Sequence, residues 1–261
     1  MHAPDPASVE QVARLLARAR SVLFVTGAGV SADSGLPTYR GIGGLYEEAL
    51  TDAGMPIEVA LSGETMRRDP ALSWRYIAQI ERACRGARPN RAHEVIAAVG
   101  ARLPRTVVLT QNVDGLHTAA GSTDVIEIHG NIHGLECPGC RARTEVPDYA
   151  GLTIPPPCGA CGRILRPSVV LFGEMLPGPA VRRLETELER GFDVVFSIGT
   201  TSVFPYIAAP VVQARRHGIP CIEINPGASQ VSHLVSLRLR SGAAATLEAL
   251  WRHLAEAWGT Y

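Results

Sequence analysis

Four cysteines carry the plainest chemistry in this chain. Cys137, Cys140, Cys158 and Cys161 are spaced C-x2-C-x17-C-x2-C. Two such knuckles bring four thiolates to one tetrahedral ion, and this donor set at this spacing selects zinc. Pro138-Gly139 and Gly159-Ala160 separate the paired cysteines and permit the tight turns that a metal knuckle needs. Four thiolates leave no open coordination position, so the predicted zinc is structural and not a hydrolytic centre. Disulfides are the competing reading of the same spacing. They belong to oxidising compartments, and Met1 to Glu10 has neither the basic nor the apolar stretch of a secretory signal. The expected location is therefore the cytoplasm. Cys84 and Cys221 stand alone and read as small buried apolar residues.

The second group of chemical residues is scattered in the chain but uniform in setting. Gly27-Ala28-Gly29-Val30-Ser31-Ala32 fits G-x-G-x-x-A directly after the apolar run Ser21 to Val25. In a dinucleotide loop the first glycine makes the turn, the second lets backbone approach a pyrophosphate, and the small third residue lets a helix pack close. The free N–H groups of that helix would face the phosphates. A hydride-transfer enzyme would then show an acid at the end of a second strand about 20 residues on. Here Pro37, Gly41, Gly43 and Gly44 interrupt the helix, and Glu47 and Glu48 follow no strand. A Gly/Pro loop beside a phosphate site suits a flap over the reactive half of the cofactor. Four more polar stretches follow apolar runs: Gln111-Asn112-Val113-Asp114-Gly115-Leu116-His117, His129-Gly130, Gly199-Thr200-Thr201-Ser202, and Asn225-Pro226-Gly227. On one sheet edge they would line one crevice with the glycine loop.

The elements needed to place them there are legible. Apolar runs at Ser21–Thr26, Thr106–Thr110, Asp124–Ile128, Ser168–Phe172, Asp193–Ile198 and Pro220–Ile224 are continuous rather than alternating, as in parallel strands covered on both faces. Helical spacing recurs at Val9–Arg20, Asn90–Val99, Pro179–Glu189, Pro205–Arg216 and Ala245–Trp258. The pattern predicts an α/β fold, a Rossmann-like doubly wound parallel sheet. Two segments break the alternation. The expected division is a Rossmann-like dinucleotide-binding domain at 1–44, 86–130 and 168–261, a helical insertion at 45–85 and a zinc-binding module at 131–167. Lysine plus arginine and aspartate plus glutamate number 25 each, so no bulk charge favours nucleic acid or an anionic membrane. No apolar run nears the roughly 18 residues of a membrane span. Neither partner is expected. The oligomeric state is not legible.

With these residues placed, nearly the whole chain resembles the sirtuins, NAD-dependent protein lysine deacylases. The resemblance rests on GAGVSADSGLPTYRG, TQNVDGLH, EIHG, the cysteine pairs, LRPSVVLFGE, GTTSVFP and INPG, in that order. It implies that NAD is consumed as a co-substrate. The acyl oxygen of a modified lysine displaces nicotinamide, and His129 then acts as general base on a ribose hydroxyl. It further implies that Asn112 orders the ribose and a water, Asp114 holds the nicotinamide amide, and Gln111 touches the ribose. Gly27, Ala28, Gly29, Ser31, Ala32, Tyr39, Arg40, Gly199, Thr200, Ser202, Asn225 and Ala244 are the other implied NAD contacts. An acyl-lysine peptide or protein would pair as a strand with Val169, Val170, Phe172 and Gly173, opposite Phe204. Protein ADP-ribosylation on the same fold is the alternative activity. The flap resembles the desuccinylase branch, which reads acidic acyl groups with a Tyr-x-x-Arg pair. Ile77 and Ile80 stand at those two places, which predicts an apolar acyl pocket for acetyl or longer chains.

Overall fold

The computed structural model describes residues 3–36 and 50–259. Among these the chain runs α1 (Pro6–Arg18), β1 (Ser21–Thr26), α2 (Ile57–Ala60), α3 (Gly63–Arg68), α4 (Pro70–Cys84), α5 (Arg91–Gly100), β2 (Arg105–Thr110), α6 (Leu116–Ala119), β3 (Val125–Glu127), β4 (Gly130–Glu136) and β5 (Arg143–Glu145). It continues through β6 (Arg166–Val169), α7 (Gly178–Arg190), β7 (Val194–Ile198), α8 (Pro205–Arg216), β8 (Cys221–Ile224), β9 (Leu237–Leu239) and α9 (Ala243–Ala257). Local chemistry sets several starts. Asp5 accepts the Ser8 N–H ahead of α1, Asp69 the Leu72 N–H ahead of α4, and Asn90 the Ala92 N–H ahead of α5.

Six parallel strands form the main sheet in the order β3-β2-β1-β7-β8-β9. β1 is followed outward by β2 and β3, and the chain then returns to fill its other side with β7, β8 and β9. The topology therefore switches between β1 and β7. At such a point the connections leave on opposite faces and open a crevice at the strands' carboxyl ends. Helices cover both faces, and alternate residues of one strand enter different cores. Val22 and Phe24 pack with α1, α5 and α9, whereas Leu23 and Val25 pack with α7 and α8. That two-sided burial explains why the runs are continuously apolar.

Three details differ from the sequence expectation. Ser168–Phe172, read as a strand of the parallel sheet, contributes instead to β6 of a separate antiparallel sheet, ordered β5-β4-β6. Its apolar residues cover the helical insertion rather than a sheet face. β9 carries no signal, because Leu237-Arg-Leu239 is too short for a periodicity to register. No regular helix follows the glycine loop over Ala28–Ser34, which forms two 3-10 turns, Ala28–Val30 and Ala32–Ser34, closed by Gly35 at φ +78°.

α2–α4 and the cysteine-bearing segment share one apolar core. Trp74, Tyr76 and Ile77 pack there with Ile132, Leu135, Cys137, Tyr149, Cys158 and Leu165. The Trp74 indole N–H donates to the Leu165 carbonyl at 2.8 Å. Glu81 is almost fully buried, pairs with Arg85 and accepts the Tyr149 N–H.

Candidate active site

The strand register brings the polar stretches together. Thr26 pairs with Thr110 and Ile198, Thr110 with Glu127, and Ile198 with Ile224. The segments after β1, β2, β3, β7 and β8 therefore leave the sheet at one level. His129 and the residues starting at Gly27, Gln111, Gly199 and Asn225 meet there.

Glycine is required at the contact between two of these loops. A Cβ on Gly29 would lie 2.7 Å from the Gly199 Cα, and one on Gly199 would lie 2.5 Å from the Gly29 carbonyl carbon. Gly199 also sits at φ +59°, where L side chains are strained. The Gly29 N–H donates to the Gly199 carbonyl at 2.9 Å. The second glycine of the motif thus seats one loop against the next across the switch point. Gly199→Ala is expected to destabilise the fold by more than about 2 kcal/mol in urea unfolding. The measurement is the midpoint at unchanged slope; an unshifted midpoint would show that the two loops can part freely.

Polar side chains knit the crevice. The Ser31 hydroxyl donates to Asp114 at 2.7 Å, and the Asn112 amide donates to Ser31 Oγ and the Gly27 carbonyl at 3.1 and 3.2 Å. Gln111 Nε2 donates to Thr200 Oγ1 at 2.7 Å, and Asn225 Nδ2 donates to the Thr200 carbonyl at 2.9 Å. Ser202 is buried at φ +52°, and its hydroxyl has no partner among the described residues. Ala244 lies in the first turn of α9, where its N–H reaches Asp33 at 3.4 Å. Tyr39 and Arg40 lie outside the described residues. Beneath the loops, His117 Nε2 meets Thr26 Oγ1 at 2.9 Å and its ring packs edge-on against His93. Burial, with help from His93, pushes the His117 pKa down to about 3, so this floor is uncharged.

His129 follows β3 by two residues. Its Nδ1 lies 3.0 Å from the Gln111 carbonyl, which can only accept, so Nδ1 carries the proton. Nε2 then presents a lone pair, and it lies 2.7 Å from the Tyr206 hydroxyl. Burial lowers the His129 pKa, and the Gln111 hydrogen bond partly opposes this. The ring is neutral at neutral pH, as a general base must be.

Val169 pairs with Gly130, and the Val170 N–H donates to the His129 carbonyl at 2.9 Å. Phe172 bridges to Ser62 of the helical insertion, and Gly173 turns the chain at φ +78°. Arg166 grips both Glu174 oxygens at 2.6 and 2.7 Å and also donates to the Val169 carbonyl. Burial alone would raise the Glu174 pKa, but the hydrogen bonds from Arg166 and the Leu171 N–H, with the charges of Arg166 and Arg67, together hold the carboxyl low. Ile77 and Ile80 join the apolar cluster that also takes Val113, Val169 and Phe172. The four cysteine Sγ atoms lie within 4.8 Å of one another. Cys137 to Cys161 is 3.4 Å and Cys140 to Cys158 is 3.6 Å, and none of the four is in a disulfide. A tetrahedron of 2.3 Å Zn–S bonds has edges of about 3.8 Å, so the set fits zinc.

Tyr206 and the Arg166–Glu174 clamp escaped the sequence reading. LRPSVVLFGE holds both clamp residues, but nothing in the spacing pairs them. Tyr206 lies one residue beyond GTTSVFP.

A doubly wound sheet with glycine loops meeting at its switch point, a neutral histidine just past a strand end and a four-thiolate module are the make-up of a nucleotide-dependent enzyme. The profile of the Sir2 family matches residues 27–205, and the chain belongs to that family. It is 49% identical to NAD-dependent protein deacylase 2 of Pseudomonas aeruginosa over 90% of this chain and 93% of that one. NAD-dependent protein deacylase 1 of Archaeoglobus fulgidus is 35% identical over 95% and 98%. A solved Sir2 homologue–NAD complex superposes with a TM-score of 0.85 at 34% identity, covering 95% and 94% of the two chains. A Sir2–p53 peptide–NAD+ complex superposes at 0.79 with 27% identity, covering 96% and 98%.

Proposed function

We propose that the protein removes acyl groups from lysine side chains of proteins with consumption of NAD, and that it prefers acetyl and longer apolar acyl groups to acidic ones. One observation carries the reading: His129, neutral and with its Nε2 lone pair fixed by the Gln111 contact, stands beside the Gly27–Gly29–Gly199 cradle. NAD, when bound, supplies a ribose carbon that exchanges nicotinamide for the acyl oxygen. Gly27, Ala28, Gly29, Ala32, Gly199 and Thr200 would hold its phosphates. Ser202, with its buried unpartnered hydroxyl, and Asn225 would take the adenine ribose, with Ala244 beside the adenine. Gln111, Asn112, Ser31 and Asp114 would orient the nicotinamide ribose and amide, and Tyr39 and Arg40 would close over them. His129 would accept the proton of the ribose hydroxyl that attacks the acyl carbon. The peptide would add as a strand at Val169, Val170, Phe172 and Gly173, and zinc on Cys137, Cys140, Cys158 and Cys161 would be structural.

The apolar preference rests on Ile77 and Ile80, which stand where the desuccinylase branch carries its Tyr and Arg and which belong to an apolar cluster. A succinyl carboxylate entering it would lose water without gaining a charge-assisted partner. The expected kcat/KM for an acetyl-lysine peptide exceeds that for the matched succinyl peptide by at least about tenfold. Mass spectrometry of matched peptides with and without NAD measures it. Equal values would remove the preference. NAD consumption with label transferred to protein and no deacylation would replace the activity with ADP-ribosylation.

A further inference from the structure

The lone pair that defines His129 as a base is already occupied. Because Nδ1–H is committed to the Gln111 carbonyl, the 2.7 Å contact at Nε2 has one arrangement in the neutral ring: the Tyr206 hydroxyl donates and the nitrogen accepts. An imidazole nitrogen has one lone pair. A ribose hydroxyl cannot give its proton to Nε2 while the phenol holds that position.

The phenol is held there by more than the hydrogen bond. Tyr206 belongs to the first turn of α8, and Phe204 caps that helix. Their rings stack at 5.5 Å with 13° between planes, and both meet the His129 ring edge-on at 5.8 to 5.9 Å. Phe204 is 40% exposed and neighbouring Val203 is 61% exposed. The stack is therefore open to solvent at Phe204, while the half-buried Tyr206 ring rests against the core under α7 and α8, so the hydroxyl can give up its contact by a small shift of the phenol rather than by leaving the stack.

We propose that Tyr206 is a positioning residue for the base, a latch that holds Nε2 in the unliganded protein and is displaced by the ribose hydroxyl. Only the acyl-transfer half of the reaction needs Nε2. The latch therefore acts on that half and not on nicotinamide release. The inference rests on the deacylase reading above, and its test separates the two.

The test uses the full chain and Tyr206→Phe, which keeps the stacked ring and removes the hydroxyl. In the free protein, 15N NMR of histidine-labelled material at neutral pH should show the His129 Nε2 resonance moving toward that of an unbonded imidazole nitrogen in the variant, with Nδ1 still protonated. With NAD and an acetyl-lysine peptide, exchange of labelled nicotinamide should stay within about twofold, while kcat/KM for acyl transfer rises about fivefold, the worth of one net hydrogen bond. An unmoved Nε2 resonance would overturn the contact itself. A fall of tenfold or more in acyl transfer with exchange intact would make the phenol an obligatory proton relay and sink the latch. Parallel losses in both halves would reduce Tyr206 to a structural residue, and unchanged rates in both would leave it no role. Absence of both exchange and deacylation in the wild-type chain, with the NMR shift present, would count against the deacylase reading instead.

Discussion

Replacing His129 by alanine is expected to lower acyl transfer by about 10²- to 10⁴-fold, the usual worth of a positioned general base. Nicotinamide exchange should persist, since departure of nicotinamide calls on the acyl oxygen and the cradle and not on Nε2. The two rates are measured on one protein with one peptide, by labelled nicotinamide and by mass spectrometry. Equal loss of both would mean that the imidazole supports binding rather than proton removal. The wild-type pH profile gives a second check. A base must be neutral, and burial moves the His129 pKa below its ordinary 6.5. The rate should therefore hold as pH falls through 6.5 and decline only at lower pH. An acid limb centred at or above 6.5 would contradict the buried geometry.

The second large effect concerns the cysteines. Cys158→Ser is expected to reduce bound zinc from about one ion per chain to near none. It should also lower Tm by more than about 10 °C, because metal binding free energy is folding free energy in such modules. The damage should not stay local. Cys137 and Cys158 lie in the same core as Trp74 and Ile77, and Trp74 donates to Leu165 just beyond the second knuckle. Loss of the ion should loosen the apolar core around Trp74 and Ile77, and activity is expected to fall with it. Elemental analysis, thermal unfolding and Trp fluorescence check this together. Full activity in zinc-free protein would overturn it.

Much of this site could be read from residues alone, and the boundary has a physical cause. Motifs whose meaning is local were legible. The cysteine spacing fixes a donor set, and an apolar run followed by Gly or Asn marks a strand end. Contacts between segments distant in sequence were not. Gly29 reads as a cradle for phosphate, yet its missing side chain also makes room for Gly199, far along the chain. Ser168 to Phe172 reads as a parallel strand because a buried run looks the same whichever sheet buries it. Tyr206 and the Arg166–Glu174 clamp declare themselves only when α8 and β6 have been set against the end of β3.

Gly130 follows His129 directly and begins the small sheet. It stands at φ +80°, and a Cβ there would come within 1.9 Å of the Ser168 carbonyl oxygen. His129 is thus the last residue governed by the large sheet and the first tied to the small one, through the Val170 N–H on its carbonyl. One residue thus serves as the joint between two sheets, and the position of the imidazole depends on both of them at once.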